Sequence, residues 1–577
     1  MDSYNIEVSK DEKYILRIES NRKKVYIGSK YNVQRDIDKF INSIGEYNKE
    51  TIFICFGLGT GEHIKKLLEI APENKIYIFE PDKEIIDRVI ESKVNNDVLK
   101  NKRVILNNCD INVEKYLENE ISIFSVNNIK FVFFANYKDC YFDDAIRVYN
   151  EYFQFLKSGV INLNTNIVHS KHFFYSFIKN IKYICTSNPI NNFKGKFKDK
   201  PVVIVSAGPS LEKNIKILKE NQDKCIIITG GRTLGTLLQA GIKPDIVCVI
   251  DPDVPAYDVM RNSIDSTVPL IFSEFTYFGV LEKYKGRKIF LSDIYMKGVT
   301  EKFLKYKVDY VLQGGSVAHV CTGIGVYIGC SPVVFIGQDL AYTNDKSHAA
   351  SAGNTQITNE NIIYVDDVYG NKVKTDYVLD FYRTSLEEII QNYSSSKFIN
   401  ATEGGANIKG TEVMKLKDVF ERYPNSIDKS LQLNGKKIDD IVDLNMIISK
   451  LRNTATSLEK VNNKTRRAIK KCSEFLKDSL KWKDDEILKL NSELDKVDKV
   501  IRKNMKEIKL INMLMEPCII EAETKKEYKE KYKESKMDEI KRIYNKSVDL
   551  YKGVSEAIEI ALPEIKKSIE SLEEIMD

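Results

Sequence analysis

Short runs of β-branched and aromatic residues alternate with amphipathic stretches along most of the chain, and beyond about residue 428 they give way to Lys/Glu/Ile/Leu-rich sequence nearly free of glycine. Between Thr51 and Tyr137 the runs TIFICFG, KIYIFE, RVILNN and IKFVFFA predict strands, and Glu62–Ile70 and Lys83–Ser92 predict helices. YILRIES and KVYIG predict a hairpin ahead of this α/β unit. Asp143–Thr186 reads as helix, with Phe153, Phe155, Phe173, Phe174 and Phe177 supplying apolar faces for packing.

The βα alternation returns more strongly from about Phe193 to Lys409. Strands are predicted at Val202–Ser206, Cys225–Thr229, Ile246–Ile250, Leu270–Ser273, Lys288–Leu291, Tyr310–Gln313 and Val333–Gly337. Many are spaced with room for a helix between them, the signature of a parallel, doubly wound α/β sheet. The tail predicts helices at Asp439–Leu451, Arg466–Lys481, Asp485–Met513, Lys525–Tyr551 and Glu556–Met576, with Pro517 and Pro563 as boundaries or first turns. The expected organisation is a hairpin plus Rossmann-like domain (1–140), a helical connector (141–192), a central α/β domain (193–427) and a helical C-terminal region (428–577).

A length of 577 residues agrees with several domains. The formal charge of only +5 disfavours nucleic acid as the main partner. Ten cysteines without a CxxC pair read as buried thiols of a reducing cytoplasm, and no apolar run approaches the length of a membrane span.

The candidate chemistry begins at Pro201–Leu211, where a strand-like run breaks into Ser206-Ala207-Gly208-Pro209-Ser210 as a helix starts. Gly208 allows backbone approach to an anion, Pro209 suits a first helical turn, and free N–H groups with Ser206 or Ser210 are expected to face a phosphate. Later strands end in Gly230-Gly231-Arg232, Asp251-Pro252-Asp253, Ser273-Glu274, Gly314-Gly315-Ser316 and Gly337-Gln338-Asp339, and one cleft at the C-terminal strand ends can collect them all. Ser316 is expected to cap a helix and add a second helix N-terminus for an anion. Asp251 and Asp253 have the spacing of a metal and nucleotide-sugar motif, but a sugar hydroxyl or a turn cap explains the same residues, and no metal is assigned. Gln338 to Thr343 runs on to His348, a candidate general base, for which His319 competes. Thr402 or Glu403 is expected to reach back to the cleft. In the first unit, Gly57-Leu58-Gly59-Thr60-Gly61 with Glu80 and Asp110 has the dinucleotide or S-adenosylmethionine pattern, and the competing reading is a Rossmann-like unit kept for structure.

Taken in order, SAGPSL (206–211), GGRTL (230–234) with AGIKPDIVCVID (240–251), QGGSVAH (313–319), IGQDLAYT (336–343) with KSHA (346–349), and NATEGGA (400–406) resemble the motility-associated factor (Maf) family of flagellin glycosyltransferases. The resemblance implies a sialyltransferase-like central domain that moves a nonulosonic acid, of pseudaminic or legionaminic type, from a CMP-activated donor to Ser or Thr of flagellin. It implies an inverting reaction that supports flagellum assembly and motility and requires no cofactor beyond the donor. Ser206, Gly208, Pro209 and Ser210 are then the nest for the CMP phosphate, with Gly230, Arg232, Gly315, Ser316, Gln338, Asp339, Thr402 and Glu403 around it. His348 is the preferred base, with Tyr342 assisting and Asp251 in a catalytic position. A related family sharing the SAGPSL and KPD segments comprises archaeal pterin pyrophosphokinases, so a pterin-type diphosphokinase is an alternative, and a non-catalytic flagellin-binding protein is another. The sugar and the oligomeric state are left open.

Overall fold

The computed structural model describes residues 3–20, 23–342, 362–429, 435–507 and 509–576. The chain forms two compact units, one of Met1–Ser170, Val461–Ile501 and Met515–Ala557, the other of Lys171–Lys460, Arg502–Leu514 and Ile558–Asp577.

In the first unit β1 (Ser3–Val8), β2 (Tyr14–Ser20) and β3 (Lys23–Ile27) form an antiparallel sheet, one strand more than the expected hairpin. β4 (Ile52–Phe56), β5 (Ile76–Glu80), β6 (Val104–Asn108) and β7 (Ile129–Phe133) form a parallel sheet in the order β6-β5-β4-β7. The central strands β4 and β5 are buried on both faces, which is why they read as unbroken apolar runs rather than alternating ones. Two buried tyrosines hold tail helices in this unit: Tyr544 Oη donates to Asn491 Oδ1 at 2.7 Å and Tyr551 Oη to Asp498 Oδ1 at 2.7 Å. Both pairs repeat at seven residues, two helical turns, so one face of each helix carries both contacts.

Several tail expectations fail: one helix, Leu444–Lys477, runs through the break expected between Leu451 and Arg466, and the helix expected from Lys525 starts at Lys536. Pro517 lies inside the helix Lys509–Thr524 and Pro563 inside Lys536–Met576, so neither marks a boundary. A helix held by packing along its length outweighs the hydrogen bond that proline removes. The break expected between Tyr551 and Glu556 is also absent. Gly553 there serves close helix approach, since a Cβ on it would lie 2.2 Å from Cys518 Cβ.

The second unit is built on nine parallel strands. β8 (Asn188–Pro189), β9 (Val202–Val205), β10 (Ile226–Gly230), β11 (Ile246–Val249), β12 (Leu270–Phe272), β13 (Lys288–Phe290) and β14 (Val333–Ile336) are followed by an antiparallel hairpin, β15 (Ile362–Asp366) and β16 (Lys372–Asp376), and then by β17 (Phe398–Asn400) and β18 (Glu412–Val413). The sheet order is β18-β17-β14-β9-β10-β11-β12-β13-β8. Tyr310–Gln313, expected as a strand, is irregular, and its Leu312 N–H donates to Tyr393 Oη at 3.3 Å instead of to a neighbouring strand. The short strands β8, β17 and β18, at or next to the edges of the sheet, carry too few residues to show a period. The doubly wound α/β architecture and the helical C-terminal region are as the periodicity predicts.

Candidate functional site

The central sheet reverses its winding beside β9. β10 to β13 are added on one side of it, and β14, β17 and β18 on the other. The C-terminal strand ends beside such a reversal are the usual place for a ligand in an open α/β sheet. A cavity of about 450 Å³ lies there, within the range of small-molecule sites. Ser206 and Gly208 line it from β9, Gly230 and Arg232 from β10, Asp251 and Asp253 from β11, and Gln338 and Asp339 from β14, with Ser316 and Tyr382 beside them.

The SAGPSL turn is locked to the β14 loop. Gly208 N–H donates to Gly337 O at 2.7 Å, and the Ser206 hydroxyl donates to Gln338 Oε1. Ser210 donates its hydroxyl to Asp339 Oδ1 at 2.6 Å and its N–H to Asp339 Oδ2 at 3.2 Å. Gly208 has no room for a side chain: a Cβ would stand 2.2 Å from Asp339 Oδ1 and 2.4 Å from Gly337 O. The carboxylate at the start of the helix Leu211–Glu220 is thus the protein's own, and Ser210 is buried behind the cavity wall. The expectation that Ser210 faces a ligand is corrected, because adjacent parallel strands bring Asp339 to it first. Pro209 likewise leads into this helix and does not line the cavity.

Two other helices point their N-termini into the cavity. Gly231–Gln239 begins directly after β10, and Val317–Tyr327 begins after Ser316. Their starts nearly touch, since a Cβ on Gly230 would lie 3.1 Å from Val317 Cγ1. First-turn N–H groups and the positive ends of two helix dipoles meet there, in a cavity that Arg232 also lines, an arrangement that favours an anion.

Two acids line the same cavity. Asp251 opens onto the cavity, yet the protein crowded around it and the neighbouring Asp253 raise its pKa, against the pull of Arg232. Asp253 is hydrogen-bonded to Nδ1 of His172, from the long helix Phe142–Thr186. Nothing in the motif order marks His172; only the approach of that helix to the β11 loop could have found it. Carboxylates of this kind bind sugar or ribose hydroxyls, and a carboxylate-paired imidazole accepts a proton.

The remaining candidates lie elsewhere. Gly315, with φ +84°, packs against the rings of Tyr382 and Phe381 and not the cavity. Ser273-Glu274 turns inward: buried Glu274 accepts from Ser292 Oγ at 3.0 Å, Asp293 N–H at 2.6 Å and Thr300 Oγ1 at 2.6 Å. Thr402 is buried and Glu403 is held by Lys213 and Asn214, whose Nζ and Nδ2 donate to its carbonyl and carboxylate at 2.7 and 3.0 Å. Both stand behind Asp339, because Gly405 and Ala406 back directly onto that residue. They do not reach the cleft. Tyr342 donates its hydroxyl to Asp376, and burial with that bond pushes its pKa up to about 12, so it is a neutral phenol outside the cavity lining. His319 is buried, with Nδ1 accepting from Ser316 N–H at 3.1 Å and Nε2 bonded to Tyr382 O at 2.9 Å. Burial lowers its pKa, so it organises the helix start as a neutral ring. His348 lies outside the described residues.

The glycine loop of the first unit faces its own protein. Buried Glu80 accepts from Leu58 N–H at 2.7 Å and from Tyr137 Oη at 2.6 Å, while Tyr137 Oη accepts from Gly59 N–H at 2.7 Å. A Cβ on Gly57 would meet the Tyr137 ring at 2.4 Å. The space that a ribose and pyrophosphate take in a dinucleotide fold is occupied by a phenol, and Asp110 remains exposed at the end of β6.

These features define an α/β protein with a switch-point cleft lined by two helix starts, Arg232 and the acids Asp251 and Asp253. A family described as 6-hydroxymethylpterin diphosphokinase MptE-like matches residues 175–345, which hold most of that cleft. Among solved structures, the Maf glycosyltransferase from Magnetospirillum magneticum AMB-1 is similar with a TM-score of 0.53 and 15% identity, over 98% of this chain and 90% of that one. No curated protein matches the sequence. The fold is that of the Maf protein along nearly the whole chain, in agreement with the ordered motifs.

Proposed function

We propose that this chain is a glycosyltransferase that moves a nonulosonic acid from a CMP-activated donor to Ser or Thr of flagellin. The observation that carries the reading is one cleft lined by two helix N-termini, Arg232, Asp251 and Asp253, in a chain whose fold is that of a Maf protein over 98% of its length. The donor phosphate sits at Gly230–Arg232 and Ser316–Ala318, where the helix dipoles stabilise the charge that develops as CMP leaves. Asp251 accepts from hydroxyls of the donor. The acceptor hydroxyl oxygen forms a bond to the anomeric carbon as the bond from that carbon to the phosphate oxygen breaks. CMP takes the electron pair, and the hydroxyl proton passes to a base. His172, oriented by Asp253, is the candidate that geometry adds to the motif candidate His348, and alanine substitution of each separates them.

The deciding experiment is intact-mass spectrometry of flagellin co-expressed with this protein, with and without the donor-sugar pathway. A mass increment that requires both supports the proposal; unchanged flagellin in the complete system rejects it.

The family match over 175–345 favours one second reading, a pterin-type diphosphokinase. It would bind ATP and Mg²⁺ through Asp251 and Asp253. Pyrophosphate transfer from ATP that EDTA abolishes would establish it, and full activity in EDTA would exclude it.

A further inference from the structure

Among the described residues that line the central cleft, Tyr382 is the one aromatic side chain. It belongs to the helix Tyr377–Asn392, and Leu379, one turn earlier on the same face, lines the cavity with it. Asp376 fixes the start of that helix by accepting from the N–H groups of Val378 and Leu379, each at 2.8 Å. The ring is seated against Gly315, where a Cβ would stand 3.2 Å from Tyr382 Cε1, so a side chain at that position would crowd it. His319 accepts from Ser316 N–H through Nδ1 at 3.1 Å and donates from Nε2 to Tyr382 O at 2.9 Å. One imidazole therefore ties the residue that carries the ring to the helix start at Val317. Tyr382 itself is only half-buried. Burial, with the charges of Asp251 and Asp376, raises its pKa, so it presents a neutral phenol near Asp251.

We infer that Tyr382 is the platform on which the planar base of the bound nucleotide stacks. The inference rests on the proposed reading of the cleft as a nucleotide site, and it adds the base to the phosphate and hydroxyl contacts assigned there. A base offers two wide apolar faces, so its subsite needs a flat apolar surface rather than more charge. Leu379 and Tyr382 supply that surface in a cavity whose other assigned groups are helix starts, Arg232 and two acids. The position also fits the order of the ligand. Phosphate, ribose and base follow one another in a nucleotide, and the ring is tied to the helix start at Val317 on one side and lies near Asp251 on the other. Gly315 then has its place in the site without touching the ligand, because it seats the ring that does.

Calorimetry and fluorescence on the full chain with CMP test it. Tyr382→Phe keeps the ring and is expected to bind CMP within about threefold of the parent, whereas Tyr382→Leu fills the space without a π-face and is expected to weaken binding by about 10- to 100-fold. The two variants are expected to melt together, because the bond from His319 goes to the backbone of residue 382 and survives both changes. Tyr382→Trp is expected to give an emission that CMP quenches and that ribose 5-phosphate, which has no base, leaves unchanged. The one native tryptophan, Trp482, measured in the parent chain, supplies the background. Equal CMP affinity in Tyr382→Leu and Tyr382→Phe overturns the inference, as does an emission of the Tyr382→Trp variant that saturating CMP does not change. A parent chain that binds ATP and not CMP overturns the proposed donor instead, and the same variants measured with ATP then decide the stacking. Binding of neither nucleotide overturns both.

Discussion

Ser210 and Asp339 are joined by two hydrogen bonds, hydroxyl to Oδ1 at 2.6 Å and N–H to Oδ2 at 3.2 Å, and so close the anion-binding turn with the protein's own carboxylate. The pair ties the β9 loop to the β14 loop at the reversal of the sheet. In the proposed reading the anion therefore sits at the helix starts at Gly231 and Val317.

Ser210→Ala and Arg232→Ala should therefore separate stability from binding. Losing the hydroxyl leaves a buried carboxylate short of a donor, a cost of about 1–3 kcal/mol, and should lower the melting temperature. Arg232→Ala should leave melting nearly unchanged and weaken CMP binding by about tenfold or more in calorimetry. Equal affinity for CMP in the Arg232→Ala variant would remove Arg232 from the site.

Two glycine substitutions should differ sharply in severity. In Gly208→Ala the new methyl meets Asp339 Oδ1 at 2.2 Å and the Gly337 carbonyl oxygen at 2.4 Å, and neither can move without breaking the loop. Overpacking of this kind costs about 1–3 kcal/mol or more, so circular dichroism should show a marked loss of stability. Gly230→Ala meets only Val317, 3.1 Å from its Cγ1 and with no backbone atom closer, and should fold, with weaker CMP binding as its main effect.

His172→Ala and Asp253→Asn should reduce turnover by about 100-fold while donor binding is kept, as expected for loss of a general base. Steady-state rates and CMP calorimetry on the same variants check this. A fall in affinity with turnover intact would assign the pair to substrate holding.

Burial pushes the carboxyls of Glu80 and Glu274 up to about 7 from an ordinary 4.5, against the hydrogen bonds each accepts. Between those values the folded chain retains protons that the unfolded chain releases, so stability should fall as pH rises from about 4.5 to about 7 and level off above. The ceiling is about 3 kcal/mol for each group. Denaturant melts across that window should show the slope, and Glu80→Gln or Glu274→Gln should flatten it.

The legible parts of the fold are those where periodicity is long or turn chemistry is strong. The runs VVIV, IVCV and VVFI are buried on both faces and carry their strand identity in their composition. The strand-end residues Ser206, Gly208, Gly230, Arg232, Asp251, Gln338 and Asp339 share one cavity, as their common position after parallel strands predicts, and Ser316 joins them although the segment before it is irregular. Less legible were the buried or diverted groups. Glu403 carries the chemistry of a site residue, and only its contacts with Lys213 and Asn214 show that it points elsewhere. The tail prolines mislead for the same reason, since packing against distant residues decides whether a helix continues through them.

By itself the amino-acid sequence determined the α/β class, the doubly wound central sheet, the helical tail and the order of polar strand ends, because these follow from local period and turn residues. Tertiary structure alone decided which of the polar groups meet. Asp339 reaches Ser210 across 129 positions of the chain, Asp253 meets His172 across 81, and Tyr137 fills the glycine loop that Glu80 anchors. Such pairings depend on which strands and helices become neighbours, and no local pattern of residues records that.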